Sequence, residues 1–282
     1  MSFLLGALML LLLLRSQTAI AAALAAARLF AGSVLPGLFP YMTLALMLVS
    51  RLPRPLSPAA LLVLGWGGGS PTGARLLHGY TGGGRARLAV RCATMSPMFL
   101  LGTAGGWLQS RVSGAVILLS VLASAWLTGF LVREEPPVRA GNEAAASGSG
   151  PLALGEAVDA AARTMLMVCG TMMLLRTLAA LASEALEARA PGAALALTTL
   201  LEVTTGAAAL ARLPLPLPLR TALIAGATGF GGAAVLLQNR AAYPAGTLSL
   251  PRQIACQAIH GALAFLLALG MMTLTVGVRP VI

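Results

Sequence analysis

Glu202, in the segment LLEVTTG, is the only acidic residue of the sequence that falls inside a segment apolar enough to lie in a membrane. A carboxylate in such a place is costly, which makes a functional role the first hypothesis. It would bind a coupling proton or Na⁺, or hold a polar substrate. The structural alternative is an ion pair with an arginine from elsewhere in the chain. Thr204 and Thr205 follow it and either cap a helix or face the ligand.

The segment GGGSPTGAR, residues 67–75, combines free backbone amides, hydroxyl groups and a guanidinium. A short helix that starts near Pro71 would point its positive N-terminal end at an anion, and Arg75 has the geometry to bind a carboxylate through two hydrogen bonds. The alternative is a tight packing turn whose arginine reaches the membrane surface. The segment is not a P-loop, because it lacks the Lys-Ser/Thr pair. The candidate binding residues here are Ser70, Thr72, Gly73 and Arg75.

Two further apolar segments, ATMSPMFLLGT at 93–103 and GATGFGGAAVLLQ at 226–238, contain residues that interrupt helices. A Ser-Pro pair in one and a Gly-Phe-Gly-Gly run in the other predict that both helices unwind near their middles. Polar groups in an apolar wall are typical of a small-molecule site. The alternative is a pair of kinks packed against neighbouring helices. The candidate residues are Thr94, Ser96, Thr228, Gly231 and Gln238.

The composition sets these residues in a membrane protein. Of the 282 residues 58% are hydrophobic and only 10% are charged, and the mean hydropathy is +0.88. A soluble domain has about a quarter charged residues, so an ordinary cytosolic enzyme is excluded. All 19 basic residues are Arg, and the net charge is +11. Because the arginines are spaced between long apolar runs, they mark membrane-flanking loops, and no nucleic-acid partner is expected.

The same scarcity of polar residues argues against catalysis and metal binding. No Ser-His-Asp, Cys-His or paired-carboxylate arrangement stands out, so we expect the protein not to be an enzyme. The three cysteines are isolated, and His260 lacks acidic neighbours and is expected to be a core histidine, so neither a disulfide nor a metal site is expected. No cofactor is expected either.

Charge-poor runs of about 20 residues predict the membrane-spanning helices. These runs are Leu29–Ser50, Cys92–Ser110, Val112–Val132, Thr164–Ser183, Thr221–Asn239 and Gln253–Val278. Residues 1–28 predict an N-terminal anchor followed by an amphipathic helix. Pro58–Leu77 and Gly192–Ala211 are apolar but rich in Gly, Pro and hydroxyl residues, which predicts two re-entrant hairpins that enter the membrane and return to the same side.

A polar linker at 133–151 divides the chain nearly in half and suggests an internal repeat. The triplet Thr72-Gly73-Ala74 recurs as Thr205-Gly206-Ala207, and Ala93-Thr94 recurs as Ala227-Thr228, at nearly the same offset. If each hairpin returns to its own side, each half crosses the membrane an odd number of times. The second copy is then inserted upside down. The predicted fold is an all-α polytopic membrane protein with two inverted repeats, at 29–132 and 152–278.

The motifs LPGLFPYM, GGGSPTGARLL, ATMSPMFLLGTAG, LLEVTTG and GFGGAAVLLQ resemble those of the YlbJ family of sporulation integral membrane proteins, also called SpoVV. That family belongs to the group with the nucleoside-recognition Gate domain, which is more distantly similar to concentrative nucleoside transporters. The sequence departs from the family at Ser70, where an aromatic residue is usual, at Arg75, where Lys is usual, and at 93–95, where an Asn is usual.

The resemblance implies transport of dipicolinic acid across the outer forespore membrane during sporulation. A small planar dianion suits helix N-termini, hydroxyl groups and a guanidinium, so the residues fit that substrate without requiring it. The expected partners are therefore a small anionic substrate, the lipid bilayer and a coupling H⁺ or Na⁺. The alternatives are a nucleoside or other small-metabolite transporter, and a membrane scaffold of sporulation that transports nothing.

Overall fold

The computed structural model describes residues 2–53, 55–133 and 151–277, so nearly all of the linker predicted at 133–151 lies outside the described residues. The described part of the chain is helical, with no strand. Within it, five helical stretches are long and apolar enough to cross a membrane. They are Ser16–Val49, Arg111–Phe130, Leu154–Glu184, Leu217–Ala242 and Leu250–Thr275. The prediction of an α-helical integral membrane protein is confirmed at this level.

The described residues of the first half form eight α-helices. They are α1 (Ser2–Leu14), α2 (Ser16–Leu29), α3 (Leu35–Val49), α4 (Pro58–Gly68), α5 (Thr72–Leu76), α6 (Arg85–Cys92), α7 (Gly105–Trp107) and α8 (Arg111–Phe130). A π-helical stretch at Phe30–Val34 joins α2 to α3 without a break, so the boundary predicted after residue 28 falls inside one helix. The predicted span Cys92–Ser110 is not one helix, because the chain leaves helical geometry before Pro97.

The second half repeats the order of the first. Its helices are α9 (Leu154–Glu187), α10 (Pro191–Leu201), α11 (Val203–Leu210), α12 (Leu217–Phe230), α13 (Gly232–Ala242) and α14 (Leu250–Gly277). In both halves a long helix is followed by two broken helical segments and then by another long helix. The breaks lie where the glycines, the prolines and Glu202 interrupt the apolar sequence.

Each of the first broken segments folds back on itself. A Cβ atom added to Gly206 in α11 would lie 2.5 Å from the Cα atom of Thr199 in α10. In a continuous helix residues seven apart are separated by about 10 Å. A Cβ atom on Gly65 in α4 would likewise lie 3.4 Å from the Cα atom of Gly73 in α5. Both pairs are therefore helical hairpins, and Gly206 is where the second hairpin closes most tightly.

The core joins the two halves through α8, α12 and α14. Ile117 and Val121 of α8 are buried in one cluster with Ile224 of α12 and Ala264 of α14. Where α12 and α14 meet, a Cβ atom on Gly229 would lie 3.2 Å from the Cα atom of Gly261, so small residues allow close helix packing there. The His260 ring is buried, with Nε2 3.0 Å from the carbonyl oxygen of Val121. This agrees with the interpretation of His260 as a core histidine.

Replacing Gly206 with Ala tests the close approach within the hairpin of α10 and α11. The added methyl group overlaps Thr199, so we expect the variant to lose about 1–3 kcal/mol of stability and to unfold at a lower temperature in detergent. Gly192→Ala in the same hairpin is the control, because nothing lies within 4 Å of its Cβ position. Equal unfolding temperatures for both variants would contradict the tight hairpin.

Candidate functional site

A small cavity of about 40 Å³ lies between the two halves of the chain. Apart from Ser33, which lies in the continuous helix of α2 and α3, its polar lining comes from the broken segments of both halves. These side chains are Ser33, Ser70, Ser96, Glu202, Thr204 and Gln238. The remaining wall is mostly apolar and includes Phe99, Val168, Met172 and Val235. One water molecule needs about 10–15 Å³ of cavity volume, so the cavity has room for only a few waters.

In the first half the two backbone breaks lie directly against each other. The backbone N–H of Ser70 donates a hydrogen bond to the carbonyl oxygen of Thr94, with an N···O distance of 2.6 Å. Gly69, with φ +63°, lies so close to the backbone of Ser96 that any Cβ atom would overlap it. The break between α4 and α5 therefore packs on the break that follows α6, and both present a serine to the cavity.

The second half shows the same arrangement. Gly231 and Gly232 both have positive φ angles, +79° and +67°, which end α12 and start α13. A Cβ atom on Gly232 would lie 3.1 Å from the carbonyl oxygen of Thr199 and 3.3 Å from the backbone N of Val203. The break between α12 and α13 therefore packs on the break between α10 and α11, where Glu202 lies.

Glu202 is completely buried, and backbone amides hold its carboxylate. Its Oε1 accepts the N–H of Thr204 at 2.9 Å and its Oε2 accepts the N–H of Thr205 at 2.7 Å. These are free donors at the start of α11, and the positive end of the helix stabilises the negative charge. Among the described residues no arginine pairs with it. An ion pair is therefore not what holds this carboxylate.

One hydrogen bond links the halves beside the cavity. The amide Nδ2 of Asn239 donates to Oγ of Ser70 at 3.1 Å, and both residues are buried. Next to it, Nε2 of Gln238 donates to Oγ1 of Thr171 on α9 at 2.7 Å. Asn239 and Thr171 were missed by the sequence reasoning. The signal that could have found Asn239 is a pair of neighbouring amide side chains in an otherwise apolar helix.

Five of the twelve candidate residues line the cavity. They are Ser70, Ser96, Glu202, Thr204 and Gln238. Thr72 and Thr94 are buried in the same two breaks, and neither hydroxyl has a hydrogen-bond partner among the described residues. These two hydroxyl groups are therefore free to serve a ligand if the breaks move.

Arg75 and Gly73 do not line the cavity. Both lie on α5, where Arg75 comes one turn after the break at Pro71. The Arg75 side chain is half-buried and makes no hydrogen bond or ion pair within the described part of the chain. Gly73 packs against Cys92 of α6. The expected grip of Arg75 on a substrate carboxylate is therefore absent from this cavity.

The other three candidates also lie outside the cavity. The Thr205 side chain lines a different cavity, although its backbone N–H binds Glu202. The hydroxyl of Thr228 donates to the carbonyl oxygen of Ile224 in its own helix at 2.7 Å. Gly231 supplies the turn between α12 and α13. Among the residues that the structure describes, one carboxylate and no basic side chain line the cavity.

No protein-family model, no curated protein and no solved structure matches this chain. Membership of the YlbJ family therefore stays a prediction from the motifs. The geometry of the breaks and of the cavity is the remaining guide to function.

A double-mutant cycle tests the contact between the halves. Ser70→Ala and Asn239→Ala each remove one partner of a buried hydrogen bond, and we expect a coupling free energy of about 1 kcal/mol in thermal unfolding. The measurement needs the two single variants, the double variant and the unchanged protein in the same detergent. Strictly additive effects would mean that the two side chains do not contact each other.

Proposed function

We propose that the chain is a transporter that moves a small polar metabolite across a membrane by alternating access. The observation that carries this proposal is that two breaks from each half meet around one small cavity that contains polar side chains. Broken helices near the membrane midplane supply ligand-binding groups and hinges in many transporters. A carrier requires both hinges and polar binding groups at the same place in its structure.

In this proposal the two hairpins, α4 with α5 and α10 with α11, are re-entrant, and the two halves are inverted repeats. The repeated helix order supports a common plan for the halves. A hairpin that returns to its own side adds no net crossing, so each half has an odd number of crossings. The orientation of the second half is then opposite to that of the first.

The cavity in this conformation is too small for a substrate. Small-molecule sites usually measure about 300–1,000 Å³, roughly ten times the space between Ser70 and Glu202. The conformation is therefore a closed one, and substrate binding requires the hairpins to move away from the broken helices. Since each hairpin meets its broken helix through backbone contacts at the breaks, these junctions are the places where the halves separate.

The resemblance to the YlbJ family makes dipicolinate the first substrate to test, with a role in sporulation at the outer forespore membrane. A nucleoside or another small hydrogen-bonding metabolite is the second candidate, and a specific observation favours it. The cavity presents the carboxylate of Glu202 and the amide of Gln238 but no cation. A dianion would be repelled by that carboxylate, whereas a neutral polar molecule would find both donors and acceptors.

Glu202 is also the proposed site of a coupling cation. Each carboxylate oxygen accepts one backbone N–H and keeps lone pairs that are not used by these bonds. A proton or a Na⁺ ion bound there would remove the negative charge when substrate binds. The same residue would then link ion movement to substrate movement.

Glu202→Gln tests the transport function. The Gln amide oxygen can still accept one of the two backbone N–H groups, so the variant should fold, but the negative charge is gone. We expect uptake of labelled substrate into proteoliposomes to fall at least tenfold, with dipicolinate and uridine measured side by side. Glu156→Gln is the matched control, because Glu156 also accepts a backbone N–H at a helix start but lies on the surface.

Three results would count against this proposal. Full uptake by Glu202→Gln would remove Glu202 from the mechanism. Uptake of uridine without dipicolinate would overturn the dipicolinate assignment. If the unchanged protein moves neither compound and is not stabilised by either, the non-transporting scaffold is the better interpretation.

A further inference from the structure

A second and larger cavity lies on the other side of the hairpin of α10 and α11. It has a volume of about 430 Å³, within the range of small-molecule sites. The two neighbouring threonines after Glu202 face opposite ways, since Thr204 lines the small cavity and Thr205 lines the large one. The hairpin thus separates the two cavities.

Arg176 of α9 lines the large cavity and lacks a counter-charge. It is the single basic residue in the apolar run Thr164–Ser183, inside a helix long enough to cross the membrane. Its Nε is buried without a hydrogen-bond partner, and its guanidinium forms no ion pair with any described residue. A charge at membrane depth is costly unless a partner or water satisfies it.

The acidic residues of the cavity lie farther along α9 and form no ion pair with this guanidinium in the described ranges. Glu184 and Glu187 come two to three helical turns later in α9, about 12 Å or more along the helix axis, and both are exposed. Glu184 is already bound to Arg15 of the N-terminal region, with an Nη1···Oε1 distance of 2.8 Å. The buried end of the cavity is therefore cationic, and the acids lie at its exposed end.

Hydroxyl groups complete the cationic end. Thr198 of α10 is buried and Thr205 of α11 is half-buried, and the hydroxyl of neither makes a hydrogen bond within the described ranges. A guanidinium with free hydroxyl donors is the combination that holds a carboxylate, because charge-assisted hydrogen bonds are the stronger ones. No basic residue lines the Glu202 cavity, so the two spaces differ in the charge they accept.

We propose that the large cavity is a binding site for a small organic carboxylate, held by Arg176 with Thr198 and Thr205. A further role, as a site that an anionic substrate occupies before it moves past the hairpin, rests on the proposed transport function. Binding itself does not depend on that function. The two cavities lie close together, because Thr205 lines the large cavity and its backbone N–H donates a hydrogen bond at 2.7 Å to Oε2 of Glu202, which lines the small one.

The test compares benzoate with benzamide, its neutral analogue of nearly the same shape, in thermal unfolding of the full chain in an uncharged detergent. We expect benzoate to raise the unfolding temperature and benzamide to leave it unchanged. Arg176→Gln should weaken benzoate binding at least tenfold. Arg163→Gln is the matched control on the same helix, since that arginine is exposed and paired with Asp159. Equal responses to benzoate and benzamide would overturn the proposal.

Folding of the variant is checked in the same experiment. Because Arg176→Gln removes a half-buried charge that forms no ion pair with any described residue, its unfolding temperature without ligand should be no lower than that of the unchanged protein. Thr198→Val offers a second variant that keeps the charge and should also weaken benzoate binding. Unchanged benzoate binding in both variants would overturn the proposal.

Two further measurements distinguish a free carboxylate from a lipid headgroup, and the binding site from the transport function. If phosphatidylglycerol, and not benzoate, stabilises the protein in an Arg176-dependent way, the cavity binds a lipid headgroup and the carboxylate site is wrong. Loss of benzoate binding in Arg176→Gln would support the site even if no compound were transported. Transport with benzoate binding unaffected by Arg176→Gln would leave the proposed function standing and remove this site.

Discussion

Backbone groups that leave a helix in an apolar environment must find partners inside the protein, because lipid offers none. The four breaks around the small cavity meet this requirement in pairs. The Ser70 N–H reaches the carbonyl oxygen of Thr94, and Glu202 accepts the free N–H groups at the start of α11. Gly232 allows the second pair of breaks to approach. Pairing the breaks collects polar groups in one place, and the cavity follows from it.

The same constraint explains how a carboxylate is tolerated there. Glu202 is stabilised by two N–H groups and a helix end, so its burial needs no arginine. The hairpin that carries Glu202 also separates it from Arg176, which has no such support. One short piece of chain thus places the hydrogen-bonded carboxylate of Glu202 and the guanidinium of Arg176, which forms no ion pair with any described residue, in separate cavities.

Much of this could be predicted from residue types, because each prediction depends on local chemistry. The Ser-Pro and Gly-Gly sequences interrupt helices through a missing donor and a positive φ, and the breaks occur beside them. Glu202 stood out because membrane segments contain so few acids. Arg75 is the instructive exception. The guanidinium suits a carboxylate, but the sequence could not indicate that Arg75, on α5, lies outside the lining of the cavity.

The sequence by itself determined the apolar character of the chain, five of the six predicted spans and the places where helices break, since length, charge and Gly or Pro content act locally. Only the tertiary structure decided which of the helix breaks pack against each other. It also decided that Asn239 bonds to Ser70 across the halves, that Thr204 and Thr205 line different cavities, and that Arg176 has no ion-pair partner in the part of the chain that the structure describes. These outcomes depend on distances between residues far apart in the chain, which no local pattern specifies.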